Sequence, residues 1–205
     1  MTRTNRSMKG FTVIELLLAM SGIAFVLLFV VFAIMHTTNL YTKGIAIRQI
    51  SQAGRQITDD ISRAIRYGSD PIILPTQNRV CAGGKSYIWN TPGTVWQNKL
   101  APPLNTAVGF VVVDGVYCTP PPGGNDVPAS AREMIGNVVA VQAITVKKNV
   151  TTSRIYDISV ILATSGNNGP QVDPATGNII GCDPVFGQYC AFGDFTTQVY
   201  ARGEQ

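Results

Sequence analysis

Two hydrophobic patterns follow one another along the first third of the chain. From Phe11 to Met35 there are 25 residues with a single charge, Glu15. At about 1.5 Å per helical residue this run is long enough to cross a hydrocarbon core of about 30 Å. Beyond it the apolar positions thin out to Leu40, Ile47, Ile50, Ala53, Ile57, Ile61, Ala64 and Ile65. After Ile47 the steps are three and four, the spacing of one helical face. Arg48, Gln49, Gln52, Arg55, Gln56, Asp59, Asp60, Arg63 and Arg66 fill the opposite face. No proline occurs between residues 11 and 70, and Gly68 followed by Pro71 is a stop signal. The pattern predicts one helix of about 55 residues, about 80 Å long. Residues 11–35 form its transmembrane half and residues 36–67 its amphipathic half. Gly22, Gly44 and Gly54 interrupt it, each costing about 1 kcal/mol relative to alanine.

From residue 68 to 205 the pattern changes period. Val138–Val146 and Ile155–Ala163 are β-branched runs flanking a polar loop around Asn149–Ser153, the signature of a hairpin. Tyr156, Ile158, Val160 and Leu162 alternate with Asp157 and Ser159, so one face is expected to be buried, against the helical stripe Ile50–Ile65. Further strands are expected at Ser86–Trp89, Val108–Val113 and Phe195–Tyr200. Between them lie turn-rich stretches, "CTPPPGGNDVPAS" and "SGNNGPQVDPATGNIIGCDP", read as long loops. The expected class is α+β, a long N-terminal helix packed on an antiparallel β-sheet head.

Charge then orients the chain. The net charge of +4 over 205 residues is concentrated at the start, where Arg3, Arg6 and Lys9 stand without an acid. By the positive-inside rule residues 1–10 are cytoplasmic and the head is extracytoplasmic. A secretory signal has an apolar core of about 7–15 residues and a small-x-small cleavage site. This run is too long and no such site follows Met35, so it reads as an anchor. The remaining charge is nearly balanced, and the basic composition does not by itself imply a nucleic-acid partner.

Glu15 is the anomaly, because a carboxylate within a bilayer costs roughly 2 kcal/mol or more. A short basic leader ending in Lys9-Gly10, then Phe11-Thr-Val-Ile-Glu15-Leu opening a long helix, resembles the processing site of type IV prepilins and type II secretion pseudopilins. The resemblance implies that residues 1–10 are a leader, cut after Gly10 by a prepilin peptidase, with N-methylation of Phe11. It implies that Glu15, fifth in the mature chain, pairs with the terminal amine of a neighbouring subunit during filament assembly. Its partners would be other pilin or pseudopilin subunits, the peptidase and an inner-membrane assembly platform. The hairpin and the closing "FTTQVYARG" resemble the carboxy-terminal part of W-type minor pilins and J-type pseudopilins. The chain would be a single-pass membrane protein before assembly and a filament subunit after it.

Four cysteines, Cys81, Cys118, Cys182 and Cys190, lie beyond the apolar run, and none forms a C-x-x-C pair. In an exported head they are expected as disulfides. Three pairings are open, and closure within one segment favours Cys81–Cys118 and Cys182–Cys190. His36 is the one histidine, at the outer membrane border, so no histidine-based triad forms in the head and no enzyme or cofactor is expected. Asp173, Asn178, Asp183 and Asp194 are candidate oxygen ligands for Ca²⁺, although turn chemistry explains them equally and EF-hand spacing is absent. Asn149-Val-Thr151 matches a glycosylation sequon, and Trp89 and Trp96 straddle a turn near Pro92 as packing residues. Three functions follow from these residues. One is a minor pilin in adhesion or motility, and the second is a J-type pseudopilin. The third is a membrane-anchored binding protein, for DNA uptake, using Lys147, Lys148 and Arg154 at the hairpin tip.

Overall fold

The computed structural model describes residues 11–91, 98–100, 107–115, 118, 126–149, 154–165, 171–172, 179–182 and 190–202. The chain is α+β, with one long N-terminal helix and antiparallel sheets. Contacts divide it into two units, Met1–Tyr41 and Thr42–Gln205.

The helix α1 runs from Val13 to Tyr67, 55 residues without a break. It ends at Gly68, whose N–H still reaches Ala64 O at 3.0 Å. In the first unit its apolar side chains are exposed, and none of its most apolar 18-residue window is buried. A helix of this length and composition near the N-terminus fits a single-pass membrane anchor.

The second unit surrounds the rest of α1 with strands β1 (Ile72–Leu74), β2 (Arg79–Ala82), β3 (Lys85–Trp89), β4 (Lys99–Leu100), β5 (Phe110–Asp114), β6 (Asp126–Val127), β7 (Arg132–Glu133), β8 (Val139–Lys148), β9 (Ile155–Thr164), β10 (Gln171–Val172), β11 (Ile179–Gly181) and β12 (Phe192–Tyr200). They form not one sheet but two principal ones, ordered β1-β2-β3-β5-β7 and β12-β9-β8, both antiparallel. Two minor ladders join β10 to β11, antiparallel, and β4 to β6, parallel.

One core lies between α1 and both sheets. Ile50, Ile57, Ile61 and Ile65 of the helix meet Tyr156, Ile158, Val160 and Leu162 of β9, and Val80, Tyr87, Trp89, Phe110 and Val112 of the larger sheet. Ile47 departs from the expected stripe, remaining 48% exposed, and Ala46 is buried in its place. Ala46, four residues before Ile50 on the same helical ridge, takes the core-facing position, which turns Ile47 to solvent. Leu40 is also exposed. The opposite face of the larger sheet is covered too, by Ile88, Val108, Val111, Val113 and Val127. Strands buried on both faces are apolar throughout rather than alternating, which is why Phe110–Val113 is a continuous run.

The turn joining β2 to β3 is Gly83-Gly84, with φ of +56° and +74°. Positive φ at both central residues is the type I′ requirement, which glycine meets without strain. Gly83 also lies against α1, where an added Cβ would come 2.8 Å from Ala64 O.

Candidate functional site

The residues singled out by the sequence do not converge on one cleft. They fall into an N-terminal helix start, a strand-to-helix seat and two cysteine bridges. Gly10 lies outside the described residues. Phe11 begins them and is exposed.

At the helix start Thr12 and Glu15 stand three residues apart. The Glu15 N–H donates to Thr12 O at 3.1 Å and to Thr12 Oγ1 at 3.4 Å. The Thr12 hydroxyl in turn donates to Glu15 Oε2 at 3.4 Å. A hydroxyl at the cap position facing a glutamate three residues on is the sequence pattern of a capping box, placed where the helix dipole favours an anion. Sequence reasoning missed this local partner, although Thr12-x-x-Glu15 is the signal that carries it. The carboxylate is exposed, and among the described residues only its Oε2 has a side-chain partner.

The seat of β12 on α1 is the second feature. Ile50, Gly54, Thr58, Ser62 and Arg66 are successive positions of one i, i+4 ridge. A Cβ on Gly193 would touch Ile50 Cγ2 at 3.2 Å, and one on Gly54 would fall 2.1 Å from the Phe195 ring. Farther along, the Arg202 N–H reaches Arg66 O at 3.4 Å. The last strand thus follows the ridge in the direction of the helix, admitted closely by Gly54 and Gly193. Thr58 is 8% exposed, and the hydroxyls of Thr58 and Ser62 are buried with no hydrogen-bond partner among the described residues.

A polar cluster joins α1 to β3. Lys85 Nζ donates to Asp60 Oδ1 at 3.1 Å. The Tyr87 hydroxyl donates to Asp60 O and Oδ2, each at 3.2 Å. Burial, then the charge of Asp60 and its hydrogen bond, hold the Tyr87 phenol well above its usual value of 10.0. Asn90 and Asn98 form a second buried polar pair. Asn98 N–H donates to Asn90 Oδ1 at 3.0 Å, and Asn90 Nδ2 donates to Asn98 O at 2.7 Å. Arg79, fully buried, donates to Asn98 Oδ1 at 3.4 Å.

Cys81 is bridged to Cys118 and Cys182 to Cys190, with Cα atoms 6.1 and 5.7 Å apart. Asp194 accepts from the Ser159 hydroxyl at 3.3 Å and stands on the outer face of β12. Asp173, Asn178 and Asp183 lie outside the described residues, as do Trp96 and most of the sequon beyond Asn149. No group of three His, Cys, Asp or Glu side chains suited to a metal occurs among the described residues. Trp89 is buried and stacks on Phe110, with ring centroids 6.5 Å apart. Lys148 faces Asp70 at 3.6 Å and lies over the Tyr156 ring, while Arg154 donates to the Tyr200 hydroxyl at 3.5 Å. Two of the three tip cations, Lys148 and Arg154, thus have partners within the head. Compared with family models, curated proteins and solved structures, the chain finds no match.

Proposed function

We propose that the chain is a structural subunit of a type IV pilus, a minor pilin. It is cut after Gly10 and assembled through α1. The observation that carries this reading is the division of one uninterrupted helix. Its first part, bearing Glu15, exposes every apolar side chain with no covering among the described residues, whereas the stripe from Ala46 to Ile65 is buried in the head. Apolar helices of this kind bundle with copies of one another once they leave the bilayer. Glu15 then meets the terminal amine that cleavage creates at Phe11 on the adjacent subunit, and two costly groups become one ion pair. Prepilin peptidase, neighbouring pilins and an inner-membrane platform are the partners this requires, with the head extracytoplasmic.

The test separates assembly from helix capping. Glu15→Ala is expected to reach the membrane and be processed, yet to fall several-fold in sheared, purified filaments. An unpaired buried amine costs roughly 3–5 kcal/mol. Thr12→Ala removes the same local cap, worth about 1 kcal/mol, but leaves the carboxylate, so it is expected to incorporate as wild type does. Equal behaviour of the two variants would reduce Glu15 to a capping residue and overturn the reading.

A further inference from the structure

The two outer edges of the three-stranded sheet are built differently. β8 carries a register shift between Val141 and Ala143 and ends in Lys147 and Lys148. Bulges and lysines are devices that stop an edge from pairing with another chain. β12 has neither. Its nine residues, Phe192 to Tyr200, pair with β9 without a shift and include no lysine and no proline.

Which of its groups face outward follows from the bonds at its two ends. The Thr164 N–H donates to Ala191 O, and the Ala201 N–H to Arg154 O, both at 2.9 Å. Ala191 and Ala201 therefore face β9. In an antiparallel ladder alternate residues bond to one neighbour, so Gly193, Phe195, Thr197 and Val199 do the same. Phe192, Asp194, Thr196, Gln198 and Tyr200 turn their N–H and C=O the other way. Among the described residues nothing accepts or donates there. The side chains of these five are all exposed, Phe192 and Tyr200 by 53% and 52%.

These five residues complement themselves when reversed. Laid antiparallel about Thr196, a second β12 sets Phe192 against Tyr200, Asp194 against Gln198 and Thr196 against its own copy. Each pair is one whose backbone groups face the open edge, so the register satisfies about ten hydrogen bonds. Aromatic faces aromatic at both ends, the one acid faces an amide, and no like charges oppose. On the inner face Phe195, only partly buried in one copy, comes beside Thr197 of the other. This self-complementarity of one patch is the property of a two-fold interface.

We propose that the head pairs with a second copy of itself through β12, joining two three-stranded sheets into one of six. Because β12 runs along α1 in the helix's own direction, the two-fold reverses one helix against the other. The chains leave the pair at opposite ends from Thr42. The interaction thus links heads approaching from opposed directions, whether or not the chain assembles through Glu15.

The test uses the full chain in detergent under mild oxidation. Thr196→Cys places its sulfur beside its own copy, with Cα atoms about 5.5 Å apart, within disulfide range. It is expected to shift to twice the mass on non-reducing gels. Ser159→Cys, on the same face of the central strand, is expected to remain monomeric. Asp194→Cys and Gln198→Cys should each stay monomeric alone and cross-link only when mixed. Thr196→Pro removes an N–H that β9 does not use, so the fold should persist while the non-covalent dimer is lost by light scattering. A monomeric Thr196→Cys, or one no more dimeric than Ser159→Cys, would overturn the proposal. So would Asp194→Cys cross-linking on its own, which would mean a different register.

Discussion

At the scale of single residues, the informative positions are those where a polar group or a missing side chain decides the packing. Tyr87 is buried with its phenol held neutral by burial and by Asp60. Because the folded state raises its pKa above 10.0, the associated stability is complete below that pH and is lost as pH rises beyond it. Tyr87→Phe is expected to flatten the alkaline limb of a stability–pH profile measured by denaturant titration. At neutral pH it should cost about 1 kcal/mol for the lost hydrogen bonds. An unchanged alkaline limb would show that another group controls it. Gly54 is decided by absence. Alanine there gains about 1 kcal/mol in helix propensity. Its Cβ would fall 2.1 Å from the Phe195 ring, and overpacking costs roughly 1–3 kcal/mol. Gly54→Ala is therefore expected to destabilise the head, and in combination with Phe195→Ala to become neutral or better than Phe195→Ala alone. Additive effects would mean that the ring simply swings aside.

At the scale of elements, the helix and the hairpin were legible because each shows one period over many residues. α1 is announced by an apolar run and then a three-four spacing, and β9 by the alternation from Tyr156 to Val160. The larger sheet was only half legible. Its strands β1 and β2 are short, and β3 and β5 are covered on both faces, so no alternation marks them. A local signal did exist, since Gly83-Gly84 between two apolar stretches is a hairpin turn. Arg79 was not legible at all, because one partner of its buried guanidinium, Asn98, lies 19 residues away in sequence. Of the candidate sites, the sequence pointed to Glu15, but not the open edge of β12, which depends on which strand neighbours which. The bridges give an element-scale prediction. Closing 37 residues restricts the unfolded chain more than closing 8. By the loop-entropy relation, removing Cys81–Cys118 should cost about 4 kcal/mol and removing Cys182–Cys190 about 2.5 kcal/mol. Chemical denaturation of Cys81→Ala/Cys118→Ala and Cys182→Ala/Cys190→Ala should rank in that order. The reverse order would mean that native-state packing, not loop closure, dominates.

For the molecule as a whole, the first unit has no covering among its described residues, whereas the second has a core of its own. In the pilin reading proposed above, release of the first unit from the bilayer rests on cleavage after Gly10. Gly10 has no side chain to obstruct a peptidase, so Gly10→Val is expected to leave a full-length band in the membrane fraction. A mature chain starting at Phe11 from that variant would place the cut elsewhere. The seat of β12 on the Ile50–Arg66 ridge has a consequence for how the head is made. The amphipathic part of α1 is synthesised early, yet one flank of its core is closed by a strand about 140 residues later, as Gly54 against Phe195 shows. Loop closure over such a separation must precede the contacts that reward it. On a growing chain that flank of the core therefore cannot close until β12 has emerged, whatever the rest of the head has already formed.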